Sequence, residues 1–105
     1  MEDDTGKAKP EWKKLVKLRV TETAHAWKQP CFIHFVSITA DPAGPATAII
    51  RDGNNGSAQQ LLNMTAQASD MTPLRFKPPL YFERGVHIEI GSNVTSVFLH
   101  LETEN

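Results

Sequence analysis

Leu80 to Glu102 reads LYFERGVHIEIGSNVTSVFLHLE. Val86, Ile88 and Ile90 alternate with His87 and Glu89, and beyond Gly91-Ser92-Asn93 the residues Thr95, Val97, Leu99 and Leu101 alternate with Ser96, Phe98 and His100. A period of two places one apolar row on one face of a sheet. The residue types agree, being mostly β-branched or aromatic. The stretch therefore predicts two strands joined by a tight turn. With Gly91-Ser92 at the centre of a type II′ turn, Ile88 faces Thr95, Val86 faces Val97 and His100 lies opposite Glu83; a three-residue loop shifts that register by one.

The same period recurs upstream. Lys13 to Thr23 alternates Val16, Leu18 and Val20 with Lys17, Arg19 and Thr21, the pattern of a half-exposed antiparallel strand. Ala24 to Pro30 reads as a connection. Cys31 to Thr39 carries two apolar rows, Cys31, Ile33 and Phe35 on one side and Phe32, Val36 and Ile38 with His34 on the other. Such a strand is central, or its second face meets a partner. Asp41 to Pro45 is a loop by composition.

Ala46–Arg51 and Ser57–Met64 flank Asp52-Gly53-Asn54-Asn55-Gly56, whose Asp-Gly and Asn-Gly pairs suit a hairpin turn. The glutamines of the second arm leave a helix start open. Thr65 to Thr72 reads as polar linker, and Pro73 to Lys77 as a short strand that Pro78-Pro79 stops. Gly85 marks a bulge or bend. The sum is seven to eight strands at roughly ten-residue spacing. That is an all-β fold, an antiparallel β-sandwich or jelly roll. Residues 1–12 are an extended polar N-terminal arm, either loose or lying on a neighbouring subunit, and residues 13–105 are a single domain.

The chain has 105 residues, one cysteine and a formal net charge of −1. A domain of this size buries roughly 65% of its unfolded surface, enough for a core without metals or bridges. The absence of a basic excess argues against nucleic acid as the main partner. Cys31 has no partner for an intrachain disulfide. The opening MEDDTGKAKPE lacks the apolar region of a signal peptide, so the chain is expected to be made in a cytoplasm and to leave a cell only by another route, such as lysis. No apolar run nears the roughly 20 residues of a membrane helix.

Chemistry is sparse. The histidines His25, His34, His87 and His100 show no zinc-type spacing and read as structural or surface groups. Cys31 stands in register with apolar neighbours and reads as a small buried hydrophobe. No nucleophile elbow, phosphate loop, dinucleotide fingerprint or calcium loop occurs. Glu83 and Glu89 read as outward charges rather than a glycosidase pair. Asn63 and Asn93 head glycosylation sequons and read as polar strand or turn residues. The expectation is a chain that is not an enzyme, with no cofactor, no metal site and no catalytic residue. Trp12, Lys13, Trp27, Phe98 and His100 are the candidate contacts with other subunits; Phe98 and His100 share the face opposite Val97, Leu99 and Leu101. Outward aromatics also suit sugar stacking, with Trp27 the candidate.

From about Ala46 onward the chain resembles small β-sandwich virion proteins of tailed bacteriophages. The resemblance is carried by IIRDGNNG (Ile49–Gly56) followed by Leu61-Leu62, by the Leu74–Phe76 strand leading into LYFERGVHIEI, and by GSNVTSVFLHLE (Gly91–Glu102). It covers roughly the last 60 residues. It implies a structural role in a virion, most of all as a capsid decoration or cement subunit, with a neck or tail component as the alternative. The partners so implied are other copies of the chain and a capsid or tail protein, with no catalytic residue to carry over. A carbohydrate-binding sandwich module, with glycan as partner, is the reading from a different class.

Overall fold

A strand with one apolar row must cover it, and two sheets meeting face to face cover each other's rows. The computed structural model describes residues 14–103 and is built this way. Its strands are β1 (Lys14–Val20), β2 (Ala24–Trp27), β3 (Cys31–Ala40), β4 (Ala46–Asp52), β5 (Gln59–Ala66), β6 (Met71–Phe82), β7 (Val86–Ile90) and β8 (Val94–Thr103). They form two four-stranded sheets, ordered β1-β8-β3-β6 and β2-β7-β4-β5, with every pairing antiparallel. The all-β antiparallel sandwich expected from the alternation is what forms. The expected arm, Trp12 and Lys13 lie outside the described residues.

The pairing follows one rule. β4 pairs with β5, β3 with β6, β2 with β7 and β1 with β8, as if one long hairpin were folded over on itself. β3–β8 and β4–β7 contacts then complete the sheets. The chain changes sheet at every connection except β4–β5. Connections 21–23, 41–45, 67–70 and 91–93 gather at one end, next to the pairs Val20–Val97, Ala40–Val94, Thr39–Met71 and Ala46–Ala66. Lys14 pairs with Thr103 at the opposite end.

The core lies between the sheets. Cys31, Ile33, Val36 and Ile38 of β3, Val97, Leu99 and Leu101 of β8, and Phe82 of β6 point in from one side; Ala46, Ala48, Ile50, Met64, Val86 and Ile88 meet them from the other.

The stretch 80–102 departs from expectation. β7 and β8 are not a hairpin: β7 lies between β2 and β4, and β8 between β1 and β3 in the other sheet. The reason is where the turn's hydrogen bonds go. Gly91 N–H donates to Thr47 O at 2.8 Å, Asp41 N–H donates to Asn93 O at 2.9 Å, and the Asn93 side-chain amide donates to Pro45 O at 3.0 Å. The segment is thus tied to the β3–β4 connection rather than closed across itself. Asn93 takes a left-handed backbone, φ 58°, which asparagine tolerates. A Cβ on Gly91 would collide with Thr47. Val97 consequently faces Val20 and Ile38, and His100 faces Lys17 and Phe35 instead of Glu83.

Smaller points of the fold also differ from, or decide between, the expectations. The register of β3 shifts between Ile33 and Phe35 against both neighbours. An irregularity of this kind reverses the faces beyond it, so Val36 and Ile38 join Cys31 and Ile33 inside and Phe35 turns out. Ala24–Trp27 is a strand rather than part of a connection, pairing with β7 at the sheet edge. β6 runs on through Pro78-Pro79; it is an edge strand, where a missing N–H donor is tolerated. The glutamine-bearing arm is strand β5, with Leu62, Met64 and Ala66 facing Ile50, Ala48 and Ala46.

Candidate functional site

The outer face of the β1-β8-β3-β6 sheet can be read row by row from its register. Leu15, Glu102, Phe32 and Tyr81 form one row across the four strands. Lys17, His100, Phe35 and Arg75 form the next, then Arg19, Phe98, Ser37 and Pro73, and then Ser96, Thr39 and Met71. The described residues contain four exposed large hydrophobics: Leu15 (74% exposed), Phe32 (36%), Met71 (49%) and Tyr81 (49%). All four fall on this one face.

The aromatics there are organised. Phe35, Phe98 and His100 form a triangle with ring centroids 5.3–6.3 Å apart, distances at which tilted and edge-on pairs attract. Their mutual contact leaves each half-buried. The Arg75 guanidinium carbon lies 5.2 Å from the Phe35 ring centre, a cation–π contact. Phe32 and Tyr81 pair at 5.0 Å. His34, at the β3 irregularity, shares a 2.7 Å hydrogen bond with Glu102 Oε1. Within these rows Lys17, Arg19 and Arg75 stand against one carboxylate, Glu102. The face is aromatic at its centre and cationic at both edges.

The opposite outer face, on β2-β7-β4-β5, is polar. Gln60, Arg51, His87 and His25 make one row there, and Arg51 donates to Glu89 Oε1 at 3.0 and 3.3 Å. His87 is buried, and its pKa is lowered from 6.5 by desolvation first and then by Arg51 and His25, with Glu89 acting the other way. His25 Nε2, Trp27 Nε1 and His87 Nδ1 are buried without a hydrogen-bond partner. These atoms are shut off from solvent.

Of the candidate contacts read from the sequence, Phe98 and His100 are brought together on the aromatic face. Trp27 is not with them: it sits half-buried on β2 in the other sheet, packed against the core. Phe32, Tyr81, Leu15 and Met71 are exposed on the same face and are absent from the candidate contacts read from the sequence. The signal for Phe32 was present in the second apolar row of β3. The others needed the register, because an edge strand's apolar residue reads alike whether it faces the core or solvent.

Cys31, Asp52 and Glu89 are engaged in the fold. Cys31 is buried, and desolvation followed by the Asp52 charge pushes its pKa from 9.0 up to about 12, the reverse of what a nucleophilic thiol needs. Asp52 itself accepts the backbone N–H groups of Glu83 and Arg84 at 3.1 and 2.7 Å, which fixes the turn into β7. Glu83 and Glu89 stand in different settings: Glu89 binds Arg51 on β4, and Glu83 lies in the turn before β7. Among the described residues no group of three or more His, Cys, Asp or Glu is placed to hold a metal ion. No family model, curated protein or solved structure was found to match the chain.

Proposed function

We propose that the chain is a structural subunit of a tailed-phage virion, of the capsid decoration or cement kind, that docks on neighbouring protein through the outer face of the β1-β8-β3-β6 sheet. The observation carrying this reading is the gathering of all four exposed large hydrophobics of the described residues on that face. Large apolar patches on a monomer's surface, beyond a few hundred Å², mark interaction sites. The strand order supports the reading too. Pairs 1–8, 2–7, 3–6 and 4–5, split between two sheets, fit a jelly roll, an architecture that capsid proteins share with lectins and cupins.

The face approaches the size of a standard interface. Four strands about 4.8 Å apart and four rows about 7 Å apart span on the order of 20 by 27 Å. That is of the order of the ~800 Å² per partner in a standard interface. Aromatic burial would drive association, at roughly 25 cal/mol per Å² before the cost of immobilising the partners.

The experiment is co-sedimentation of the purified chain with undecorated phage shells, beside a Phe32→Ser/Tyr81→Ser variant. Both side chains are exposed, so the variant should melt like wild type while losing at least about tenfold in shell affinity. A wild-type chain that is strictly monomeric and ignores every shell tested would sink the proposal.

One observation favours a second reading. Phe32 and Tyr81 flank a shallow hollow also lined by Gln29 and Glu102, which suits a sugar ring stacked on an aromatic and hydrogen-bonded at its rim. Glycan-array binding that disappears in Tyr81→Ala would favour a carbohydrate-binding module instead.

A further inference from the structure

The aromatic face has a partner of matching charge on the chain itself. The connections 21–23, 41–45, 67–70 and 91–93 form one end of the sandwich and carry Glu22, Asp41 and Asp70 with no lysine or arginine. They are held as one surface. Asp41 O accepts from Ser69 N–H, Asp70 O from Ala40 N–H, Asn93 O from Asp41 N–H, and Thr23 Oγ1 from Ile90 N–H, all within 3.1 Å. A tip tied together in this way would lose little conformational freedom on docking. The face opposes it in sign, with Lys17, Arg19 and Arg75 against Glu102.

Pairing of two identical faces is disfavoured by the same residues. A two-fold axis along the strands lays β1 of one copy over β6 of the other, setting Lys17 against Arg75 in their shared row. A two-fold axis across the strands through the middle of the face sets Lys17 of one copy against Arg19 of the other. Like charges facing each other across an interface cost affinity. Head-to-tail contact avoids both clashes, and it builds rings when the rotation closes.

We propose that the acidic loop end of one copy docks on the cationic aromatic face of the next, giving a head-to-tail oligomer. The proposal rests on the reading that this face binds protein, and it names the occupant as a second copy of this chain.

The test uses the full-length chain and two exposed charge reversals, Lys17→Glu/Arg19→Glu on the face and Glu22→Lys/Asp70→Lys on the tip. Light scattering at 50 mM salt should give an oligomer for wild type, dissociating as salt is raised. Each variant alone should weaken self-association at least about tenfold. Mixing the two variants should restore it, since each then meets opposite charge. Melting curves verify that each variant folds, and Glu22→Lys alone serves should the tip double variant not. Wild type that stays monomeric at low salt overturns the proposal, and so do variants that assemble like wild type or mixtures that restore nothing. Monomeric wild type that still binds shells overturns only this proposal and leaves the virion reading standing.

Discussion

The Cys31 thiol is 2% exposed on the inner face of β3. Its pKa of about 12 against 9.0 makes the thiolate about a thousandfold scarcer at neutral pH than in a free cysteine. Labelling by a disulfide reagent should therefore be at least about a hundredfold slower in the folded chain than in denaturant, and a rapid native reaction would contradict the burial. His87 makes a pH prediction. Arg51 on β4, His25 on β2 and Glu89 on its own strand all bear on it, and the net effect is a pKa below 6.5. The unfolded chain then binds the proton more readily. His87 thus contributes stability fully above about pH 6.5 and loses it as pH falls below that value. Thermal melts from pH 7.5 to 5 should fall less steeply for His87→Gln than for wild type. Parallel slopes would remove His87 from the account.

The link between β7 and β8 carries the prediction at the scale of elements. Asn93 combines a left-handed backbone with a side-chain bond to Pro45 O. Asn93→Ala removes the bond and keeps the strained backbone, so it should cost about 1–2 kcal/mol in urea unfolding. Asn93→Gly keeps the conformation cheap and should cost less. At this scale the sequence was legible in a particular way. Alternation in 86–90 and 94–101 announced two strands, but a period of two says which residues share a face and nothing about which strand lies alongside. The hairpin at 46–66 was readable because Asp-Gly sits where its own strands pair. Gly91-Ser92-Asn93 looks similar and closes on a different loop. The irregularity at His34 was hidden as well, because both rows around it are apolar, and with it went the outward placement of Phe35.

For the molecule as a whole, stability and assembly should be separable, since the two draw on opposite sides of one sheet. Leu99 is fully buried between the sheets. Leu99→Ala should cost about 2–5 kcal/mol and lower the melting temperature sharply. Tyr81→Ala, on the outer side, should leave the melt almost unchanged while altering the mass seen by light scattering or the binding to shells. Equal thermal losses for both would mean that Tyr81 holds the fold together.

Lys14 pairs with Thr103 at the end of the sandwich away from the carboxylate-bearing loops. The two residues stand at one pole, on adjacent strands. A dye coupled to a Lys14→Cys variant would therefore mark that pole, and copies arrayed with a common orientation would show it all in one direction.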